Sequence, residues 1–328
     1  RARPRRGLLH LALLVLASLA LSGCHSGGAE ARRLLDACEG GDASACNRVA
    51  GQLRKGEYVL RDEARAATLF DRACVGGIGD GCASLGLAYQ GGHGVKRDSA
   101  RATTLFARGC ENGGMEGCTK LGHLHERGAG VPRDVGRAAS LYERACGKNQ
   151  LEGCARLGTL YAAGTGVPRD VARAAKLFTQ TCDSTITHGC LGLGLLHQAG
   201  EGVARNDSLA ATLFRRSCND ANDPAGCFQM GLAYEQGRGV LARFERAINY
   251  YEEACEDRHG EACFRVATLW EKAGWYRENP QQITRKRRQA CQYGHQPACP
   301  APPARPTAEG RGPTAAPQPP QQRQGVGL

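Results

Sequence analysis

The sequence predicts an all-α protein built as an array of repeated helical hairpins. A pattern of the form C-x-x-L-G-x-x-Y, G-x-G-V-x-R-D and R-A-x-x-L-F covers residues 82–110, and it restarts at Cys118. Two series of cysteines keep this register in steps of 36 residues, with one step of 37 near Pro224. Apolar or small residues lie at positions 1, 4, 5 and 8 of each unit, counted from its first cysteine. This spacing is one face of a helix, and a fixed period indicates a repeat array.

The elements follow in order along the chain. Residues 29–38 predict one helix, and seven units then begin at Cys46, Cys82, Cys118, Cys154, Cys190, Cys227 and Cys263. In most units glycines end the first helix, and a capping residue stands before the second helix, namely Asp62, Asp98, Asp134, Asp170 or Asn206, whereas Arg243 replaces it in the sixth unit. In the last unit, we expect Asn279 and Pro280 to start the second helix, with Pro280 as its first residue. A glycine recurs at position 5 inside the first helix, which predicts a close backbone approach between the paired helices.

The sixth and seventh units depart from the pattern, and the last one has the features of a capping repeat, whose outer face meets water. It carries a basic cluster at residues 285–288, which we interpret as a solvated face; the alternative is a site for an anionic partner at the envelope, such as lipid headgroups or wall polymer. Residues 300–328 are rich in Pro, Ala and Gln, and this composition predicts a disordered tail.

The amino terminus has the pattern of an export signal. Four arginines lie within residues 1–6, and an apolar run of 14 residues follows at 8–21. The run ends in Leu21-Ser22-Gly23-Cys24, which resembles the lipobox of bacterial lipoproteins. We therefore predict a signal peptide at 1–23, a lipidated Cys24, and a short tether at 24–28. His25 after the lipidated cysteine favours the outer membrane in the sorting rule of some Gram-negative bacteria.

The remaining cysteines predict disulfide bonds. Seven residues between cysteines is not the spacing of a structural zinc site, and an exported chain leaves the reducing cytosol. Two local pairings are open. Pairing within a hairpin, as Cys46 with Cys74, would leave Cys38 and Cys299 without a disulfide partner. Pairing across the short loop uses all sixteen, and we predict it: Cys38 with Cys46, Cys74 with Cys82, Cys110 with Cys118, Cys146 with Cys154, Cys182 with Cys190, Cys218 with Cys227, Cys255 with Cys263, and Cys291 with Cys299. No metal site is predicted.

The repeated L-G-x-x-Y, G-x-G-V-x-R-D and R-A-x-x-L-Y-x-x-A motifs resemble the Sel1-like repeat family, a relative of the tetratricopeptide repeats. The resemblance covers residues 29–299. It implies a right-handed α/α superhelix that acts mostly as an adaptor for proteins or peptides. The cysteine spacing is similar to that of cysteine-rich secreted bacterial members, some of which carry the name β-lactamase or penicillin-binding protein.

The sequence favours a binding scaffold over an enzyme. No serine is followed by Lys in S-x-x-K, and S-D-N, K-T-G, H-E-x-x-H and G-x-S-x-G are also missing from the sequence. The formal net charge is +11, but only about +5 remains on the repeat region once the two ends are subtracted. We therefore expect no nucleic-acid partner and no cofactor. The function hypothesis is a lipid-anchored scaffold in the cell envelope, and the alternative is a β-lactam-binding protein or hydrolase.

Candidate partner-binding residues are those that vary while the framework stays fixed. In the family, first helices line the concave surface, so positions 3, 6 and 10 of each unit are candidates. Several of them are basic, which favours an acidic protein or peptide partner. The candidates are Arg48, Lys120, His123, Arg127, Arg156, Arg265 and Lys272.

Overall fold

A computed structural model describes residues 27–183, 189–275 and 280–299. The predicted signal peptide, Cys24 and the carboxyl-terminal tail lie outside the described residues. Within them the chain is helical without any strand. The helices are α1 (27–39), α2 (Ala43–Lys55), α3 (Glu63–Val75), α4 (Gly79–Gly91), α5 (Ser99–Glu111), α6 (Met115–Arg127), α7 (Val135–Cys146), α8 (Leu151–Ala163), α9 (Val171–Cys182), α10 (Cys190–Ala199), α11 (Asp207–Ala221), α12 (Pro224–Gln236), α13 (Phe244–Glu256), α14 (Gly260–Lys272) and α15 (Gln281–Gln292).

The helices pack as consecutive hairpins. The pairs α2 with α3 through α14 with α15 form seven units, and each second helix also packs on the first helix of the next unit. The first helices of neighbouring units also meet directly, as α4 and α6 do. This arrangement confirms the predicted solenoid of about seven hairpins after one amino-terminal helix. We call the surface formed by α2, α4, α6, α8, α10, α12 and α14 the first-helix face.

The helix ends follow the predicted local chemistry. Gly56, Gly92, Gly128, Gly164, Gly200 and Gly237 end the first helices in the left-handed conformation. At the second helices, the side-chain oxygens of Asp62, Asp98, Asp134, Asp170 and Asn206 accept hydrogen bonds from backbone N–H groups in the first turn.

Two late units lack this side-chain cap. Arg243 replaces the capping Asp before α13 and makes no side-chain cap. Pro280 is the N-cap of α15, so the helix begins at Gln281, one residue later than predicted, and Asn279 lies outside the described residues.

The glycine at position 5 serves a different purpose from the one predicted. A Cβ atom on Gly86 would lie 2.7 Å from the Phe106 ring, and one on Gly122 would lie 2.7 Å from the Tyr142 ring. These rings belong to position 25, on the second helix of the same unit. The close approach is therefore between an aromatic ring and the backbone of the first helix, because the ring occupies the space that a Cβ would need.

The structure contains eight disulfides, each across a short loop. The first joins α1 to α2, and the next six each join the second helix of one unit to the first helix of the next. Their Cα–Cα distances lie between 4.5 and 4.8 Å. The 37-residue step is absorbed in the loop of Cys218–Cys227, where Asn222 adopts a positive φ of 49°.

This many disulfides indicates an oxidising compartment outside the cytosol. Among the described residues no helix is long and apolar enough to cross a bilayer. The last helix, α15, buries only Ala290, as expected for the outer face of a capping unit. Arg285, Arg287 and Arg288 are exposed on it, and Arg287 pairs with Glu271 at 2.7 Å.

Two matched glycine substitutions test the packing of the rings. Gly86→Ala places a Cβ within 2.8 Å of two Phe106 ring atoms, so we expect a loss of about 1–2 kcal/mol in unfolding free energy. Gly51→Ala is the control, because nothing lies within 4 Å of its Cβ position. It should stabilise the helix by about 0.5–1 kcal/mol. Urea denaturation measures both, and a gain in stability for Gly86→Ala would contradict the ring-packing explanation.

Candidate functional site

The predicted partner-binding residues lie on the first-helix face. Lys120, His123 and Arg127 are on α6, and Arg156 is on the neighbouring α8. These four residues lie at the boundary between the third and fourth units. The other three lie apart from them: Arg48 on α2, and Arg265 with Lys272 on α14.

Ion pairs tie α6 to α8 at this boundary. The Lys120 Nζ lies 2.9 Å from a Glu152 carboxylate oxygen, and the Arg156 guanidinium lies 3.1 Å from the other. Burial raises the pKa of Glu152, but the hydrogen bond and charge of Lys120, together with Arg156, hold it below its ordinary value. Burial lowers the pKa of His123, and the positive charge of Arg156 lowers it further. Glu152 is therefore ionised and His123 neutral at pH 7.

A buried tyrosine supports the same cluster from beneath. The Tyr142 hydroxyl donates to a Glu126 carboxylate oxygen at 2.6 Å, and the Arg156 guanidinium lies 3.8 Å from that oxygen. Burial and the Glu126 carboxylate raise the pKa of Tyr142, so the phenol stays protonated and keeps its role as donor. The side chain of Arg156 is thus held between two carboxylates.

The arrangement occurs a second time, between the sixth and seventh units. The Tyr251 hydroxyl donates to Glu235 at 2.6 Å, and Arg265 lies 3.5 Å from Glu235 and 3.6 Å from Glu261. In both cases, tyrosine is at position 25, glutamate at position 9, and arginine at position 3 of the next unit.

Positions 9 and 25 change together along the chain. Units with Glu126, Glu235 or Glu271 at position 9 have a hydrogen-bond donor at position 25, namely Tyr142, Tyr251 or Arg287. The four other units have no carboxylate at position 9, and their position 25 is Phe: Phe70, Phe106, Phe178 and Phe214. The pattern follows from burial, because a phenol hydroxyl beneath the first-helix face needs a partner there.

These positions line a space that we call the junction slot. Its floor is the position 25 ring, and its walls are position 9 of the same unit and positions 3 and 6 of the next. Between the third and fourth units, Glu126 and Arg156 occupy it. Between the first and second units, the slot is lined by Phe70 and Ser84 and leaves a cavity of about 40 Å³.

Between the fourth and fifth units the slot is open. Position 9 is Ala162 and position 3 is Gly192, so neither wall carries a large side chain. The result is a pocket of about 550 Å³, walled also by Leu195 and floored by Phe178. A Cβ on Gly192 would lie 2.6 Å from the Phe178 ring, and one on Gly158 would lie 2.8 Å from it. The ring therefore fits between two glycine backbones.

The structure changes the significance of the predicted basic residues. Arg48 pairs with Glu30 at 2.7 Å, and Lys120, Arg156 and Arg265 also face carboxylates. In contrast, no carboxylate partner occurs for exposed Arg127 and Lys272 within the described part of the chain. His123 is half buried beside the charges of Arg156, Glu126 and Glu152. The expectation of an acidic partner stays a prediction.

The pocket residues were not among the predicted site residues, although the sequence carries a signal for them. Gly192 stands alone at position 3, where other units have Arg, Lys, Gln or Ser, and Ala162 stands at a position 9 that is polar in the other six units. A comparison of units at fixed positions, rather than a search for charged residues, would have marked this boundary.

The chemistry of the face is that of a binding surface. It offers paired charges, neutral imidazole and an apolar pocket. One group of potential metal ligands lies elsewhere, where the Cys218 and Cys227 sulfurs come within 4.8 Å of a Glu253 oxygen. Both sulfurs form a disulfide, so they offer no thiolate to a metal ion.

Comparison with known families and structures gives a consistent result. The Sel1 repeat model matches six segments, residues 43–76, 79–114, 116–149, 151–185, 187–222 and 224–259. A search of curated proteins found no match.

Several solved structures are similar in fold. A protective antigen of uropathogenic Escherichia coli strains with an SLR fold is 24% identical with a TM-score of 0.59, over 82% of this chain and 57% of that one. The chain thus spans little more than half of that protein's length. A Sel1 repeat protein from Oxalobacter formigenes is 23% identical with a TM-score of 0.57, over 66% of this chain and 89% of that one.

A cysteine-rich protein also appears among the matches. Cysteine rich protein B of Helicobacter pylori is 30% identical over 37% of this chain and 87% of its own, with a TM-score of 0.31. That score is too low for the match to bear on the fold.

A double-mutant cycle tests the coupling between positions 9 and 25. Glu126→Ala should destabilise the protein by about 1–3 kcal/mol, because it leaves the buried Tyr142 hydroxyl without its acceptor. Tyr142→Phe in the same chain should recover part of this loss, with a coupling of about 1 kcal/mol. Urea denaturation of the four proteins measures the cycle. Strictly additive effects would show that the two positions are independent.

Proposed function

Because the chain belongs to the Sel1 repeat family, we propose that it acts as a non-enzymatic scaffold that binds a protein or peptide partner. The observation that carries the proposal is the variability of the first-helix face. Its framework positions repeat from unit to unit, while positions 3, 6, 9 and 10 differ in charge, size and polarity. A fixed scaffold with a variable surface is what selective binding of an extended partner requires.

We place this scaffold in the cell envelope, anchored by lipid at Cys24. The support is the leader sequence with its Leu-Ser-Gly-Cys motif, together with disulfides that require an oxidising compartment. With His25 after the lipidated cysteine, the outer membrane is the favoured destination. Under this proposal a tether even shorter than the predicted 24–28 holds the solenoid close to the membrane, because α1 already begins at residue 27.

We also retain the proposal of an acidic partner in a narrower form. The position 3 cations are paired within the chain, so the support comes from the exposed cations at position 10, Arg127 and Lys272, and from guanidinium N–H groups that the pairing of position 3 leaves free. Neither the contacts of the first-helix face nor the comparisons support the β-lactam alternative. Nitrocefin turnover by the oxidised protein that a point substitution abolishes would contradict the non-enzymatic assignment.

Replacement of the lipidated cysteine tests the anchoring. The unaltered protein should fractionate with membranes after cleavage before Cys24, and Cys24→Ser should accumulate as an uncleaved precursor because the lipobox thiol is missing. Ser26→Ala is a matched control two residues away and should be processed normally. Fractionation and intact-protein mass measurement give the result, and a mature, soluble, unlipidated product from the unaltered chain would refute the anchor.

A further inference from the structure

The open junction slot between the fourth and fifth units has the features of a ligand subsite. We propose that it receives a large apolar side chain, such as Leu, Met or Phe, from an extended peptide segment of the partner, with an acidic residue of that segment beside Arg156. The inference rests on the proposed function, because it assigns a ligand to the same first-helix face.

The shape and lining of the pocket fit an apolar side chain. About 550 Å³ lies within the usual range of ligand pockets. The floor is the Phe178 ring, and Leu195 forms a wall while being 38% exposed. An apolar side chain entering here would cover surface that is now in contact with water, and such buried anchors supply most of the affinity in peptide interfaces.

The pocket lies at positions that larger side chains fill at other unit boundaries. At the two boundaries with a tyrosine floor, the chain fills its own slot with a glutamate and an arginine. Between the first two units the slot leaves only about 40 Å³. At the fourth and fifth units, both filling residues are replaced by Ala162 and Gly192, although the floor and the flanking helices are unchanged in type. A peptide side chain can therefore occupy the space that the chain itself occupies elsewhere.

The rim of the pocket gives the peptide its expected charge. Glu152 and Arg156 stand at the edge that faces α6. A guanidinium carries five N–H donors, and the contacts to Glu152 and Glu126 leave some of them free for a ligand oxygen. On this side Lys120 and Arg156 share the carboxylates Glu126 and Glu152, and exposed Arg127 on the same α6 has no carboxylate partner in the described part of the chain, so positive charge is in excess. This excess favours a carboxylate next to the apolar anchor.

Peptide selection on the oxidised protein tests the proposal. A random-peptide phage library is panned on the immobilised protein, and a fluorescent copy of the most enriched peptide is titrated against it and its variants. Ala162→Trp fills the pocket, and Leu195→Glu places a charge in its wall. The matched control is Gln198→Trp, which places the same side chain at position 9 of the next unit. Circular dichroism melts verify that each variant is folded.

We expect enriched peptides to share a large apolar residue with an acidic neighbour. Ala162→Trp and Leu195→Glu should each weaken binding by about 30-fold, the loss of one anchor residue, while Gln198→Trp stays within about twofold. Replacement of the peptide's apolar residue by Ala should match the loss in the pocket variants. Replacement of the peptide's acidic residue should weaken binding less than this, and only at low salt, where charge interactions are least screened.

Three outcomes would overturn the proposal, each in a different way. Peptides that bind all variants equally would refute the pocket but leave the scaffold function standing. Failure to enrich any peptide above empty beads would count against peptide binding altogether, and thus against both proposals. A dimer of the unaltered protein that Ala162→Trp dissociates would assign the pocket to self-association instead.

Discussion

The disulfide at each unit boundary is the constraint on which the rest of this structure depends. A hairpin with Ala, Gly and Leu in its interior buries little apolar surface, and a solenoid has no central core to compensate. Its stability is the sum of unit stabilities and nearest-neighbour interfaces. Because six of the eight bridges join the second helix of one unit to the first helix of the next, they strengthen the interface term. By the chain-entropy model a loop of this size contributes about 2.5 kcal/mol per bridge.

The aromatic ring at position 25 complements the bridge and connects stability with binding. It packs on the backbone of its own first helix at position 5, and it forms the floor of the slot that opens toward the next unit. A hydroxyl on this ring needs a carboxylate above it, which closes the slot, whereas phenylalanine does not. Tyr at this buried position therefore requires a boundary closed by the chain, as at Tyr142, whereas Phe permits an open boundary where the wall residues are also small, as at Phe178 but not at Phe70.

Much of the fold could be predicted from the sequence, because the repeat multiplies each local signal. One Asp before one helix is a weak signal. The same residue type at the same position of four units, as Asp62, Asp98, Asp134 and Asp170, predicts where the second helices begin. Cysteine spacing likewise predicted the pairing across the loop. The role of Gly86 and its counterparts was predicted wrongly, since spacing does not tell whether a backbone or a ring fills the space beside a glycine.

The candidate site was predicted in location but not in chemistry. Arg156 and Lys120 were expected to be free for an acidic partner, and the structure pairs them with Glu152. The pair Glu152–Arg156 is local, four residues apart on one helix, but Lys120–Glu152 and Glu126–Arg156 join residues of successive units about 30 residues apart, so no local pattern marks them. The pocket was not predicted because it is formed by the small size of Gly192 and Ala162, and neither residue carries a charged or reactive group that would indicate a site.

The central claim is that bridged boundaries, rather than the hairpins alone, hold the array together. Thermal melting of the oxidised and the fully reduced protein, followed by far-ultraviolet circular dichroism, tests it most directly. The account predicts that reduction lowers the melting temperature by more than about 10 °C while much of the helical signal survives at low temperature. Equal melting temperatures in the two states, with all sixteen thiols verified as free after reduction, would contradict it.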